Sequence, residues 1–412
     1  MEYRQQQLEN GMTVLAEINP NGHSMAMGFF VRTGARDEGS DIAGVSHFLE
    51  HMVFKGTPNR SAEDVNRELD EMGSHSNART SEESTIYHAT VLPEFQTPVV
   101  ELMADILRPS LRDDDFEMEK QVIIEEIMMY DDQPPYGGHE RIMAEYFGRH
   151  PLSQSVLGTV DSVGGLTPQQ MHGYFDKRYS PDNIALVAAG NVDFEKLVVD
   201  AERLCGSWQA SSASRDETKA EPSFGFHTIH KEQAVQQYIL QLAPGPSALN
   251  DDRFATRVLS TILGDDGGSR VYWEFIDTGL AEAAGMGSYE YDDNGVIMSY
   301  ICCEPERAQD NLNRLTELQK NAVNLEVSQH ELDLAKSKIA SHIILASERT
   351  DSRMFSVGMQ WLKGQDFKTP ADIAELYEAV TLEQVNSAAQ KYPLTPNMTV
   401  VVGPNNELRA ID

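Results

Sequence analysis

An approximate internal repeat constrains this fold more than any single motif. LTPQQMHGYFDKRYSPDNIALVAAGNVD (166–193) and VTLEQVNSAAQKYPLTPNMTVVVGPNNE (380–407) each read as a Thr-capped helix, a turn with Tyr and Pro, and a short apolar strand closed by glycine. The spacings agree, with 23 positions from Thr167 to Gly190 and 22 from Thr381 to Gly403. A repeat with a period near half the chain predicts two similar domains in tandem. Between them QASSASRDETKAEPSFG (209–225) is rich in Ser, Ala and charge and has little to bury, so it reads as a linker. The expected division is 1–208, a linker at 209–225, and 226–412.

Apolar alternation in STIYHATVL (84–92) and GVIMSYICC (295–303) predicts strands. The 3.6-residue pattern of SAEDVNRELDEM (61–72), DDFEMEKQVIIEEIMMY (114–130) and SQHELDLAKSKIASHIILASE (328–348) predicts helices. These elements do not alternate as short βαβ units. The expected class is therefore α+β, each domain an antiparallel-rich sheet with helices packed on one face.

Charge narrows the partners. Against 33 Lys and Arg stand 65 Asp and Glu, a net charge of −32, which repels nucleic-acid phosphates and anionic lipid headgroups. Neither nucleic acid nor membrane is an expected partner. No run approaches the roughly 18 uninterrupted apolar residues of a membrane span. The first residues, MEYRQQQLENGM, lack a basic stretch followed by an apolar one and do not read as a leader. Three cysteines without CxxC spacing cannot build a disulfide framework. These features together lead to the expectation of a reducing, cytoplasmic location.

The segment that carries chemistry is HFLEH at 47–51. On a helix, at about 100° per residue, His47, Glu50 and His51 fall within one arc and can converge. Val45, Phe48, Leu49, Met52 and Val53 form a core-facing stripe, which leaves the imidazoles to face water or a cavity. Two imidazoles one turn apart can both reach a zinc ion, and a carboxylate beside them can take a proton from water that the ion has acidified. This is the inverted order of the HExxH motif. A third ligand is needed, and the helix at 114–130 offers Glu117, Glu119, Glu125 and Glu126. Glu119 and Glu126 lie about 20° from eclipsed beside Val122 and Ile123, whereas Glu125 points roughly 100° away. A carboxylate on an apolar face is costly unless bound or paired. Glu126 is thus the candidate ligand and Glu119 an auxiliary residue that supports the site.

HFLEHMVFKGTPNRS, GSHSNARTSEESTIYHATVL, EKQVIIEEIMMYDDQPP, HPLSQSVLGT and YSPDNIALVAAGN occur in this order along the chain. Together they resemble the inverted zinc metallopeptidases of the pitrilysin and insulinase family. The likeness is strongest to the short bacterial members related to the mitochondrial processing peptidase catalytic subunit. The resemblance implies that His47, His51 and Glu126 hold Zn2+, that Glu50 is the general base, and that Glu119 assists catalysis. It also places Asn77 and Ala78 in an edge strand that binds an extended substrate peptide. The function it implies is a zinc metalloendopeptidase acting on peptides or unfolded segments in a clam-like chamber formed by the two halves. It further implies a homodimer, and the net charge would bias the substrates toward basic peptides.

One family feature is missing. Typical active members of this family carry an Arg and, seven residues on, a Tyr that grip the substrate, and the corresponding EFIDTGLAE (274–282) has Phe275 and Glu282 there. Arg270, Tyr289 and Tyr291 are the candidate substitutes. The alternative function is therefore a catalytically silent member that serves as a structural or substrate-binding subunit. GDDGGS (264–269) lacks the Lys of a phosphate loop and reads as a turn. Cys302 and Cys303 should point to opposite faces of a strand. His75, His88 and His139 lack partner spacing and read as structural or surface residues.

Overall fold

The computed structural model describes residues 1–322 and 327–411. The first sheet contains β1 (Glu2–Gln7), β2 (Thr13–Ile18), β3 (Met25–Val31), β4 (His75–Thr80), β5 (Thr85–Val91) and β6 (Ile184–Gly190), in the order β1-β2-β6-β3-β5-β4. The second contains β7 (Gly225–His230), β8 (Gln237–Pro244), β9 (Ala283–Glu290), β10 (Gly295–Cys303) and β11 (Met398–Gly403), in the order β7-β11-β8-β10-β9. Without β1 the two orders are the same, strand for strand. Each sheet is antiparallel except at one pair, β2 with β6 and β7 with β11.

The repeated segments account for that match. The helices are α1 (Val45–Val53), α2 (Ala62–Glu71), α3 (Gln96–Ile106), α4 (Asp113–Asp131), α5 (Pro134–Phe147), α6 (Val160–Gly165), α7 (Pro168–Arg178), α8 (Phe194–Cys205), α9 (Asp252–Gly264), α10 (Ala308–Ala322), α11 (Gln329–Ala346), α12 (Thr350–Leu362), α13 (Pro370–Glu378) and α14 (Leu382–Lys391). Thr167 caps α7 by accepting the Gln170 N–H, and Thr381 caps α14 by accepting the Gln384 N–H. The strands that follow, β6 and β11, hold equivalent places in their sheets. The expected helices at 61–72, 114–130 and 328–348 appear as α2, α4 and α11, and the expected strands as β5 and β10.

The compact units interleave the chain. One is residues 1–128, 154–216 and 345–367, and the other is 129–153, 217–344 and 368–412. The change from 216 to 217 lies inside the expected 209–225 linker. In the first unit, α1, α3, α4 and α8 cover one sheet face with a large core that includes Phe29, Phe48, Tyr87, Phe116 and Leu186. The other face is covered by α12, whose Met354 and Val357 pack on Leu15, Phe30, Ile86 and Val187. Covered on both sides, β3 and β6 are buried throughout, which explains their unbroken apolar sequences. In the second unit α5 plays the same part, with Ile142, Met143, Tyr146 and Phe147 against Leu240, Leu242, Val400 and Val402.

Glycine permits both approaches. A Cβ at Gly358 of α12 would run into the Phe30 ring, and one at Gly138 of α5 would come within 2.9 Å of side-chain carbons of Leu240 and Val402. No helix among the described residues is long and apolar enough to cross a membrane.

Candidate metal centre

The helix α1 is fixed before its histidines are considered. The Glu38 carboxylate accepts the N–H groups of Gly44 at 2.6 Å and Ser46 at 2.7 Å, satisfying donors that the helix start leaves open. Burial pushes the Glu38 carboxyl up to about 8, against those hydrogen bonds. The Ser46 hydroxyl meets the Tyr174 hydroxyl at 2.7 Å, and Tyr174 in turn meets Thr33 at 2.8 Å. Val45, Phe48, Leu49, Met52 and Val53 are all buried, as the stripe predicts. Of the two settings expected for the imidazoles, water or a cavity, His47 at 8% exposed is not in open water.

The apolar residues Phe116, Ile123 and Ile127 seat α4 in the same core, and Phe116 stacks on Phe48 with centroids 4.7 Å apart. That contact brings Glu126 over the His pair while Glu125, one residue earlier, remains exposed. Glu126 Oε2 lies 3.8 Å from His47 Nε2 and 3.6 Å from His51 Nε2. One donor atom from each of the three residues lies within 4.8 Å of the others. These separations are too long for hydrogen bonds. They lie near the ~3.3 Å edge of a tetrahedron with metal bonds of about 2.0–2.1 Å. The set therefore fits zinc by donor type, number and spacing.

The surroundings act oppositely on the two imidazoles, only one of which they hold in the neutral state a ligand requires. Burial, reinforced by the neighbouring His51, lowers the pKa of His47 to about 4, so it stays neutral. Burial would lower that of His51 as well. The Glu119 hydrogen bond and the charges of Glu126, Glu119 and Glu50 outweigh it and raise the pKa. Glu119 is 3% exposed, and its Oε1 lies 2.8 Å from His51 Nδ1 while its Oε2 pairs with Lys55. In its neutral form, with Nδ1–H donated to Glu119, His51 would turn a bare Nε2 toward Glu126 and His47. Glu119 thus stands behind the candidate ligand set, joined to it through His51. Glu50 Oε2 accepts the Thr80 hydroxyl at 2.6 Å, and burial raises its pKa against that hydrogen bond. Asn77 and Ala78 lie in β4, the strand at the edge of the first sheet.

Comparison with known proteins agrees with this chemistry. The profile of the insulinase family, peptidase family M16, matches residues 13–160, and that of the peptidase M16 inactive domain matches 165–339. An uncharacterized zinc protease of Mycobacterium leprae is 32% identical over 96% of this chain and 91% of its own length. The chain belongs to peptidase family M16. A similarly described zinc protease of Bacillus subtilis is 30% identical over 97% of this M16 chain and 98% of its own. In fold, the chain matches a protease from Helicobacter pylori (TM-score 0.91, 21% identity, 97% of this chain and 99% of that one). It also matches a peptidase M16 inactive domain from Pseudomonas fluorescens (TM-score 0.91, 17% identity, full coverage of both).

In the inactive-domain half, Phe275 is fully buried among Ile239, Val271 and Ile301, and Glu282 is exposed and accepts a 2.6 Å hydrogen bond from Gln236. Arg270 is held by both Glu331 oxygens at 2.8 and 3.2 Å, and Tyr291 packs against the α5 cluster. Tyr289 is half exposed on β9. Sequence reasoning about this M16 chain missed Glu38, Lys55, Thr80 and Tyr174 as supports of the site. Lys55 alone had a local signal, lying one helical turn beyond His51.

Proposed function

We propose that this M16 chain is a zinc-dependent metalloendopeptidase that cleaves peptides or unfolded segments. The observation that carries the reading is the convergence of His47, His51 and Glu126 with the Glu50 carboxylate on the same helix face. Zinc held by that set supplies Lewis acidity and lowers the pKa of water toward about 7. Glu50 is the proton carrier. Burial raises its pKa toward the range in which it can both take and return a proton, and the Thr80 hydroxyl fixes one carboxylate oxygen, leaving the other for the proton. Main-chain pairing of an extended substrate with the free edge of β4 would tolerate varied sequences, because those hydrogen bonds do not read side chains. At longer range the net charge of −32 favours approach of basic peptides.

Glu50→Gln should abolish cleavage of a mixed peptide pool while zinc stays bound at one per chain. Retained cleavage by the pure variant would refute the assignment of the base. Buried Phe275 and exposed Glu282 favour a second reading, a silent subunit that binds zinc and peptides. Stoichiometric zinc in the wild type without cleavage of any peptide in the pool would establish it.

A further inference from the structure

In a chain with 65 acidic and 33 basic residues, Arg79 has no ion-pair partner among the described residues. It lies on the edge strand β4, its guanidinium 4.6 Å over the Phe355 ring and its Nη2 3.7 Å from Met359 Sδ, both on α12. A cation seated on an aromatic ring and a thioether, without a carboxylate, is partly desolvated and underpaired. Beside it, His88 packs edge-on against Phe355 with centroids 4.9 Å apart, and its buried Nδ1 has no hydrogen-bond partner. Among the described residues, Asp351 is the carboxylate whose charge reaches His88, and it is already bridged by Arg349 at 2.6 Å and accepts the Ser352 N–H at 2.8 Å.

The register decides what this pair can touch. Asn77 lies opposite His88 and Arg79 opposite Ile86, so these side chains share the sheet face covered by α12. Ala78 and Thr80 point to the other face, where Thr80 meets Glu50. A peptide strand added to the free edge of β4 alternates in the same way. Every second side chain lies toward Glu50, and those between lie on the face of Asn77 and Arg79, with His88 one strand further in.

We propose that Arg79 is a specificity-determining subsite that recognises a carboxylate on the bound peptide. It rests on the peptidase reading only in taking β4 as the substrate edge. It acts at contact range, whereas the net charge acts at a distance, so a basic peptide bearing one acidic residue satisfies both. The carboxylate can be an Asp or Glu side chain or the peptide C-terminus.

The test measures peptide binding to the zinc-loaded Glu50→Gln protein. C-terminally amidated peptides of neutral sequence carry a single Asp, walked along the chain, each against its Asn twin, and a further set has a free C-terminus. At one or two alternate positions Asp, or the free terminus, should bind roughly tenfold to a hundredfold tighter, the range for a hydrogen-bonded charge. Arg79→Gln should bring the pair to parity, and Arg79→Glu should shift the preference to Lys. Thermal melting confirms that each variant is folded. The subsite is refuted if Asp and Asn bind equally everywhere, if no peptide binds, or if the preference survives Arg79→Gln. Should wild-type protein fail to cleave peptides that bind with an Arg79-dependent preference, the peptidase reading falls and the subsite stands.

Discussion

Replacing Glu119 by Ala separates holding a metal from orienting its ligand. The substitution removes a charged hydrogen bond of 2.8 Å to His51 Nδ1 from a residue that is 3% exposed. Such bonds contribute about 1.5–3 kcal/mol. Lys55, the other partner, has a side chain 36% exposed and regains water, so its release costs little. What is lost is the fixed direction of His51 Nε2, because the imidazole torsion is broad without a partner. Orienting residues of this kind typically change metal affinity by about 10- to 100-fold. At about 1.4 kcal/mol per factor of ten, that is the same size as the hydrogen bond. A second effect has the opposite sign, since removing Glu119 takes away a cause that raises the His51 pKa and so lessens proton competition for the ring. Raising the pH weakens that proton competition, so on the alkaline side the loss of orientation dominates. Zinc affinity measured at pH 7.5 by competition with a coloured chelator should therefore fall by about 10- to 100-fold. Glu125→Ala, an exposed change next to the candidate ligand Glu126, should stay within about twofold of wild type. If folded Glu119→Ala binds zinc within twofold of wild type, the orienting role is wrong.

Two further predictions concern the scaffold. Gly358→Ala drives a methyl into the buried Phe30 ring and should destabilise the first unit by about 1–3 kcal/mol, whereas Gly138→Ala meets side-chain ends that can shift and should cost less. Urea midpoints compare the two, and an unchanged midpoint for Gly358→Ala would contradict the seating of α12. Arg270 lowers the Glu331 pKa to about 2, so the pair stabilises the fold above the unfolded value of 4.5 and loses that stabilisation as pH falls toward 2. Solvent screening reduces the contribution to about 1 kcal/mol. The melting-temperature difference between wild type and Glu331→Gln should accordingly shrink between pH 5 and pH 3, and a constant difference would exclude the linkage.

Much of the site is local in sequence and so was legible there. His47, Glu50 and His51 converge because a helix returns to the same face every three to four residues, and the roughly 100° between Glu125 and Glu126 is enough to choose between them. The repeated capped helix and central strand likewise carry the common strand order of both sheets. The environment of each group was not legible. Burial of His47, the Glu119 contact with His51 and the Thr80 contact with Glu50 all join residues far apart in the chain.

The helices α5 and α12 mark the same boundary at the level of the fold. Their patterns show an apolar face but not which sheet will cover it, since hydrophobic burial has no direction along the chain. Only tertiary packing placed α12 on β3 and β6, and with it Phe355 and Met359 under Arg79. By sequence alone this chain has a duplicated α+β plan and one inverted zinc-peptidase helix. Tertiary structure decided how the halves exchange helices, which carboxylates contact the candidate ligands, and what lies under a cation on the edge strand that has no ion-pair partner among the described residues, because those outcomes depend on long-range contacts.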